Sequence, residues 1–477
     1  MTGADVSNGA GGATAQSLVR AIWDALGLPL SSFERLRLEG SEALPSAFPV
    51  TELAAATIGA AALAVSEAAG LVSAAPAIAV DRRLASMWFG LSIRPLGWKM
   101  PPAWDAIAGD YRAADGWIRL HTNAPRHRAA AISVLGCKEE RDAVAGTVAA
   151  WPADALEQAI VSAGGCAAAM RTMQEWANHP QGRAVASEPL IAFSRTAAAP
   201  MTWRPSPGRP LDRLKVLDLT RVLAGPVATR FLAGYGADVL RIDPLGWDEP
   251  GIVPEVTLGK WCARLNLRGT ADRDTFEHLL AQADVLVHGY RPGALDALGY
   301  DEGRRHTIRP GLIDVALDAY GWSGPWQARR GFDSLVQMSA GIAAAGMAWR
   351  QADRPVPLPV QALDHATGYL MAAAVVRGLI DGVRGDGAVK ARLSLARTAL
   401  LLGHPVAGDS AAALMPPTDA DYASEEEATS WGPAQRLIAP VSSDGAALRW
   451  DRGASRLGTA IPSFTTRAGA PGGIELQ

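Results

Sequence analysis

The stretch LKVLDLTRVLAGPVATRFLAGYGADVLRID, Leu214–Asp243, decides the fold. It reads as an apolar strand, a Gly-Pro turn, a short helix and a second strand. The loop Arg221–Pro226 leaves the first strand and enters the helix, so its backbone N–H groups and the helix N-terminus offer a place for a phosphate or a developing oxyanion. The loop is not GxGxxG. Asp243 ends the second strand, where dinucleotide-binding folds keep an acid for the ribose, yet alone it reads equally as a helix cap or a surface charge. NAD binding is therefore disfavoured.

Downstream, strand-like and helical runs alternate: Lys215–Leu219, Val227–Tyr235, Asp238–Ile242, Arg273–Gln282, Val285–Val287, Gly293–Leu298 and Leu312–Leu317. That alternation predicts an α/β fold, a Rossmann-like, mostly parallel sheet with flanking helices and a ligand site at the carboxyl ends of its strands. Upstream, the Pro-rich run Ala198–Pro210 reads as an exposed linker. Before it, YRAADGWIRLHTN from Tyr111 predicts a hairpin turning at Asp115-Gly116, and helical patterns cover 124–136 and 153–178, ending near His179-Pro180. Residues 101–200 thus form a smaller α+β domain, 201–210 the linker and 211–405 the large domain. Helical periodicity also marks 15–30 and 53–69, Ile78–Ser86 reads as a strand and a turn, and 406–477 is a return segment expected to pack on the large domain.

With 477 residues, more than one core is expected. A hydrophobic fraction of 49%, a charged fraction of 19% and a net charge of −3 exclude the global basic field that nucleic acid would need. Cys137, Cys166 and Cys262 are odd in number and lack metal-ligand spacing, as for reduced thiols in a cytoplasmic protein without a metal site. The start, MTGADVSNGAGGATAQ, lacks the basic and apolar regions of a signal peptide and reads as a tail. Leu53–Val80 is apolar but carries Glu67, Gly70 and Pro76, which favours a buried Ala-rich helix over a membrane span.

An internal repeat links the two ends of the chain. PVTELAAATIGAAALAV from Pro49 lies without a gap over PVQALDHATGYLMAAAV from Pro359, an offset of 310, and VDRRLAS from Val80 lies over VKARLSL from Val389, an offset of 309. Residues 1–100 would then be a partial, degenerate copy of the large-domain end, with Ala54 opposite Asp364. Asp364 itself directly precedes a helical run, a position that suits an N-cap as well as a catalytic carboxylate. His365 is adjacent in sequence but points elsewhere on a helix and reads as a partly exposed side chain. His288 ends a strand, facing a cofactor or serving packing.

The segment at Leu217–Asp243, VLVHGYRPGALDALGY at Val285–Tyr300 and AYGWSGPWQARRGFDSLVQMSAG at Ala319–Gly341 resemble, in order and spacing, the signatures of the class III CoA-transferase (CaiB/BaiF) family. The likeness is strong over 205–400. Over 108–195, YRAADGWIRLHTN and ALEQAIVSAGGCAAAMRTMQEWANHPQ are similar to that family's small domain, which there follows the CoA-binding domain and here precedes it. The resemblance therefore implies a permuted or partly duplicated chain, either a homodimer or a single-chain pseudo-dimer.

It further implies CoA transfer from an acyl-CoA to a small carboxylic acid, with CoA as substrate and no tightly bound cofactor. Asp364 matches the catalytic aspartate, attacking the thioester to give an anhydride and then an aspartyl-CoA thioester. Val222, Ala224, Lys260, Tyr290, Arg291 and Tyr320 match CoA contacts, Lys260 and Arg291 being suited to phosphate. Leu223 stands where formyl-CoA transferase has a glutamine. The related α-methylacyl-CoA racemases carry a histidine in a GHD triplet; Gly331-Phe332-Asp333 replaces it here, and phenylalanine cannot exchange a proton. A CoA-binding protein with a degenerate site is the remaining alternative. Trp98, Trp104 and Trp117 are candidates for the acyl site or, equally, for packing.

Overall fold

The computed structural model describes residues 14–195, 201–405 and 412–464. Its largest sheet has seven strands: β1 (Ala192–Arg195), β2 (Lys215–Leu219), β3 (Asp238–Asp243), β4 (Lys260–Arg264), β5 (Val285–His288), β6 (Ile313–Asp318) and β7 (Val389–Ser394). The spatial order is β4-β3-β2-β5-β6-β7-β1, all parallel except β1, which runs against β7. Strands β2 to β7 thus follow the doubly wound order, with the reversal between β2 and β5. Val216, Val239, Val285 and Val315 face one core, whereas Leu217, Leu240 and Leu286 face another. Helices cover both faces, so the strands read as continuous apolar runs rather than alternating ones.

The smaller α+β domain is present as an antiparallel sheet of Gly109–Arg112, Trp117–Leu120 and Ala167–Ala169 with helices Pro125–Leu135, Arg141–Val148 and Ala153–Ser162. The hairpin turns where the sequence places it. The expected helical run over 153–178 is broken instead by the Ala167–Ala169 strand, a buried edge of the small sheet. The expected exposed linker is also different: Met201 and Trp203 are buried, and the Trp203 indole N–H donates to the Asp212 carbonyl at 3.0 Å. The tail at 1–13 lies outside the described residues.

Ala-rich helix Val50–Ala69 and the Asp364 helix, Ala362–Arg384, are each apolar and long enough to cross a membrane, yet both run through the interior packed along one another. Small side chains allow that approach. Each helix leads to a strand and a short helix: Ile78–Asp81 and Arg82–Trp88 after the first, β7 and Leu395–Ala399 after the second. The chain enters the two helices with nearly the same backbone angles, at Pro49 (φ −76, ψ 66) and at Gln361 (φ −75, ψ 64). By these starts Glu52, not Ala54, occupies the turn position of Asp364, and its carboxylate is paired with Arg82.

The return segment serves both ends of the chain. Val441–Ser443 adds to the Leu36–Glu39/Ile78–Asp81 sheet, Gly432–Arg436 pairs with Ile93–Pro95, and Trp450 stacks on Trp88 while its indole N–H donates to the Arg230 carbonyl.

Gly368 of the Asp364 helix lies where a β-carbon would come within 2.4 Å of the Ala224 carbonyl oxygen and 2.9 Å of Val227 Cβ. Backbone cannot yield as a flexible side chain would. Gly368→Ala is expected to destabilise the fold by about 1–3 kcal/mol through overpacking, read as a lower midpoint in denaturant unfolding.

Candidate active site

A cleft of about 860 Å³ opens beside Leu219, Gly289 and Asp318, at the carboxyl ends of β2, β5 and β6. Asp364 lines it as the third residue of its helix and is 5% exposed. Burial first, and then the neighbouring charge of Asp333, push its carboxyl well above the ordinary carboxylate range. The helix N-terminus favours a negative charge there, but the missing solvation outweighs it. Asp333 accepts the backbone N–H groups of Leu363 and Asp364 at 2.9 and 3.0 Å, and burial raises its carboxyl as well.

The β2 loop is tightly folded. Val222 is left-handed at φ 63, unusual for a β-branched residue, and its N–H donates to Glu249 Oε1 at 2.8 Å. That N–H is thus committed to an acid rather than free for an anion. Gly225 must be a glycine, since a β-carbon would lie 2.3 Å from Thr220. Leu223 stands at the helix N-cap without a side-chain cap and is itself buried.

Four of the residues expected to touch CoA, Val222, Ala224, Tyr290 and Arg291, line the cleft together with Asp364. Lys260 does not. It lies fully buried beneath the loop, its Nζ 3.1 Å from Asp218 Oδ2 and donating to the Pro226 carbonyl at 2.8 Å. Burial lowers its amine to about 8. Burial alone would raise the Asp218 carboxyl, but the charges of Lys260 and Arg241 and the hydroxyls of Thr220 and Thr229 hold it below the usual value. Lys260 therefore supports the loop from below, where a phosphate cannot reach it. Tyr320 is also fully buried, its hydroxyl 3.1 Å from Ser339 and its ring among Trp176, Trp326 and Arg329.

The other candidates sit elsewhere. Asp243 is neither cap nor surface charge: it pairs with Arg241 at 2.8 Å in full burial. His365 is buried, not partly exposed, and stacks on Phe89 at 5.1 Å; burial lowers its imidazole to about 3. His288 lies 3.2 Å from Asp314 in a separate cavity that shares Tyr290 and Arg291 with the cleft. Trp98 pairs with Trp431, Trp104 meets His121 edge-on, and Trp117 packs near Cys166. Trp247 is the tryptophan that lines the cleft.

Arginines dominate the walls. Arg126 of the small domain, Arg221, Arg291 and Arg330 all line the cleft, and no carboxylate pairs with them among the described residues. Burial, then Arg330 and Arg221, hold Arg126 below its usual pKa; burial and then Arg330 do the same for Arg291. Arg221 lies 4.9 Å over the Trp247 ring and donates to the Tyr290 hydroxyl at 3.1 Å. Arg291 is among the CoA contacts that the resemblance implies; Arg126, Arg221 and Arg330 carry no local sequence signal that sets them apart from surface charges. Asp318, whose buried carboxyl is raised well above the usual range, was also missed.

A doubly wound sheet whose switch-point cleft gathers unpaired guanidinium groups over a buried aspartate suits a polyanionic, phosphorylated ligand. Residues 211–431 match the family profile described as CoA-transferase family III. Acetyl-coenzyme A transferase nodX of Hypoxylon pulicicidum is 34% identical over 212 residues, covering 42% of this chain and 36% of that protein. A probable fatty acyl-CoA transferase of Mycobacterium tuberculosis is 32% identical over 193 residues, covering 38% and 48%. A crystal structure of the latter aligns at 29% identity with a TM-score of 0.38, covering 41% of this chain and 57% of that one. The chain spans less than half the length of these two curated relatives.

Replacing Lys260 by methionine would strand the buried Asp218 carboxylate. The variant is expected to lose about 3–5 kcal/mol of stability, measured by denaturant unfolding.

Proposed function

We propose that the protein moves CoA from an acyl-CoA donor to a small carboxylic acid, with Asp364 as nucleophile. The observation that carries this reading is the position of Asp364 in a cleft whose walls bring together Arg126, Arg221, Arg291 and Arg330 without counterions. Three phosphate groups on CoA would supply those charges. Val222, Ala224 and Tyr290 would flank the same ligand, while Lys260 acts through the loop it supports.

In the first half-reaction an Asp364 oxygen attacks the thioester carbonyl carbon, the C–S bond breaks and CoA leaves as thiolate, giving an acyl-aspartyl anhydride. The thiolate then attacks the Asp364 carbonyl and expels the donor acid. An acceptor carboxylate attacks the resulting aspartyl-CoA thioester, releasing the thiolate again, which takes the new acyl group and restores the Asp364 carboxylate. Every step exchanges one carboxylate or thiolate for another, so no net proton is needed.

Asp364→Asn is expected to abolish transfer between acyl-CoA donors and carboxylate acceptors, with hydroxylamine trapping a hydroxamate on Asp364 of the native protein by mass spectrometry. Unchanged acyl-CoA turnover in the variant would leave a CoA-binding role instead. Arg330→Gln should raise KM for acyl-CoA about tenfold, the worth of one charge-assisted contact, while sparing KM for the acceptor. Racemisation is disfavoured because Phe332 is stacked on His121 at 3.7 Å and has no exchangeable proton; deuterium incorporation next to the thioester in D2O would restore it.

The nucleophile must be ionised, so the rate should fall as pH drops through the raised Asp364 pKa. An acid limb well above pH 4, where an ordinary aspartate (about 3.9) titrates, is expected in kcat/KM. The single-chain pseudo-dimer reading is supported by the Val50–Ala69 helix, which packs on the Asp364 helix within one chain. Light scattering should then give a monomer. The three cysteines are free, in keeping with a reducing compartment.

A further inference from the structure

We propose that Asp333 is the positioning residue of the Asp364 site, a second carboxylate that clamps the start of the Asp364 helix and governs when Asp364 carries its charge. The inference rests on the reading of Asp364 as nucleophile. Asp333 opens the helix Asp333–Ser339, directly after Phe332 of the cleft wall, and is completely buried. Its Oδ2 accepts the N–H groups of Leu363 and Asp364, which belong to the first turn of their helix and have no carbonyl within it to bond. Gln361, at the N-cap, supplies no side-chain cap. Asp333 fills that role from 31 residues away.

The other oxygen, Oδ1, accepts from the Gln337 side-chain amide, and Gln337 Oε1 accepts the Leu358 N–H at 2.7 Å. One brace therefore runs from the segment before the Asp364 helix, through Gln337 and Asp333, to the first turn of that helix. It fixes the nucleophile relative to the cleft wall. An apolar residue at 333 would leave two buried N–H groups unsatisfied.

The charge has a second consequence. Around the pair, Arg119 on the Trp117–Leu120 strand is the cation that acts on Asp333, while Arg126 and Arg330 line the cleft and Asp318 stands at the end of β6. His121 and His127 are held neutral, chiefly by burial. Of all these groups, Asp333 is the one whose charge raises the Asp364 carboxyl. Two carboxylates in one dry site resist being ionised together. When Asp364 attacks, its negative charge passes to the departing thiolate, the new C–O bond leaves Asp364 neutral, and the repulsion from Asp333 ends. Asp333 thus disfavours the resting carboxylate but not its acylated or thioester form.

The test is the pH profile of kcat/KM for Asp333→Asn, whose remaining carbonyl oxygen can still accept both N–H groups. The acid limb should move down by at least about one pH unit, a tenfold change in the acid constant, with a lower plateau. Gln337→Met, which loosens the brace and keeps the charge, should lower the plateau without moving the limb. A superimposable limb in Asp333→Asn would reduce Asp333 to a structural cap. Carbon-13 NMR of labelled aspartate carboxyls, with Asp364 assigned from the Asp364→Asn spectrum, reads the same coupling without activity. In the native protein Asp364 should titrate above the ordinary range in two steps; a single step at the ordinary aspartate pH would overturn the proposal even if Asp333→Asn does not fold. Coupled titration in a protein that transfers no CoA would sink the transferase reading and leave the pair standing.

Discussion

Ala224 and Gly368 meet where no side chain fits, and the site depends on that meeting. The Ala224 carbonyl oxygen occupies the space a β-carbon on Gly368 would take, so the Asp364 helix rests directly on the helix that begins at the β2 loop. One turn before the contact stands Asp364. Any widening would carry the carboxylate away from the switch point, where the loops after β2 and β5 approach each other. Thr220 against Gly225 applies the same constraint within the loop.

Charge is distributed in two ways around this contact. Beneath the loop, ions are buried and matched: Lys260 with Asp218, Arg241 with Asp243 and Glu249, Arg230 with Glu255. Such pairs give little net stability compared with apolar packing, but losing one member is costly. In the cleft Arg126, Arg221, Arg291 and Arg330 have no acid partner among the described residues, and the carboxyls of Asp318 and Asp364 in the same lining are pushed toward the neutral form by burial. A polyanion entering the cleft would therefore meet positive charge with little opposing it.

The two Ala-rich helices show how a similar backbone start presents different side chains. Both Ala-rich helices start from nearly the same turn and lead into a strand and a short helix. At the equivalent turn the first helix has Glu52, held by Arg82, and the second has Asp364, whose carboxylate has no hydrogen-bond donor among the described residues and faces the cleft. The gapless sequence match hid this, since alanines match alanines in any register and only the turn geometry fixes the alignment.

By itself the sequence determined the alternation of β2, its loop helix and β3 and the hairpin at Asp115-Gly116, because strand periodicity and turn chemistry are local properties. It also put Asp364 at a helix start, where a cap and a nucleophile read alike until the family resemblance picks out the nucleophile. Local patterns cannot say which side of a loop a side chain occupies. Lys260 reads as a phosphate ligand in the sequence, yet its strand places it under the loop with Asp218. Tyr320 reads as a cleft residue and lies in the core. Arg126 and Arg330 come from distant segments and share one cleft because the small-domain strands pack against the Asp333–Ser339 helix. Asp333 looks like the ordinary end of a triplet until folding brings it to a helix start it is not adjacent to in the chain. Burial, pairing and convergence are long-range quantities, and only the tertiary structure decided them.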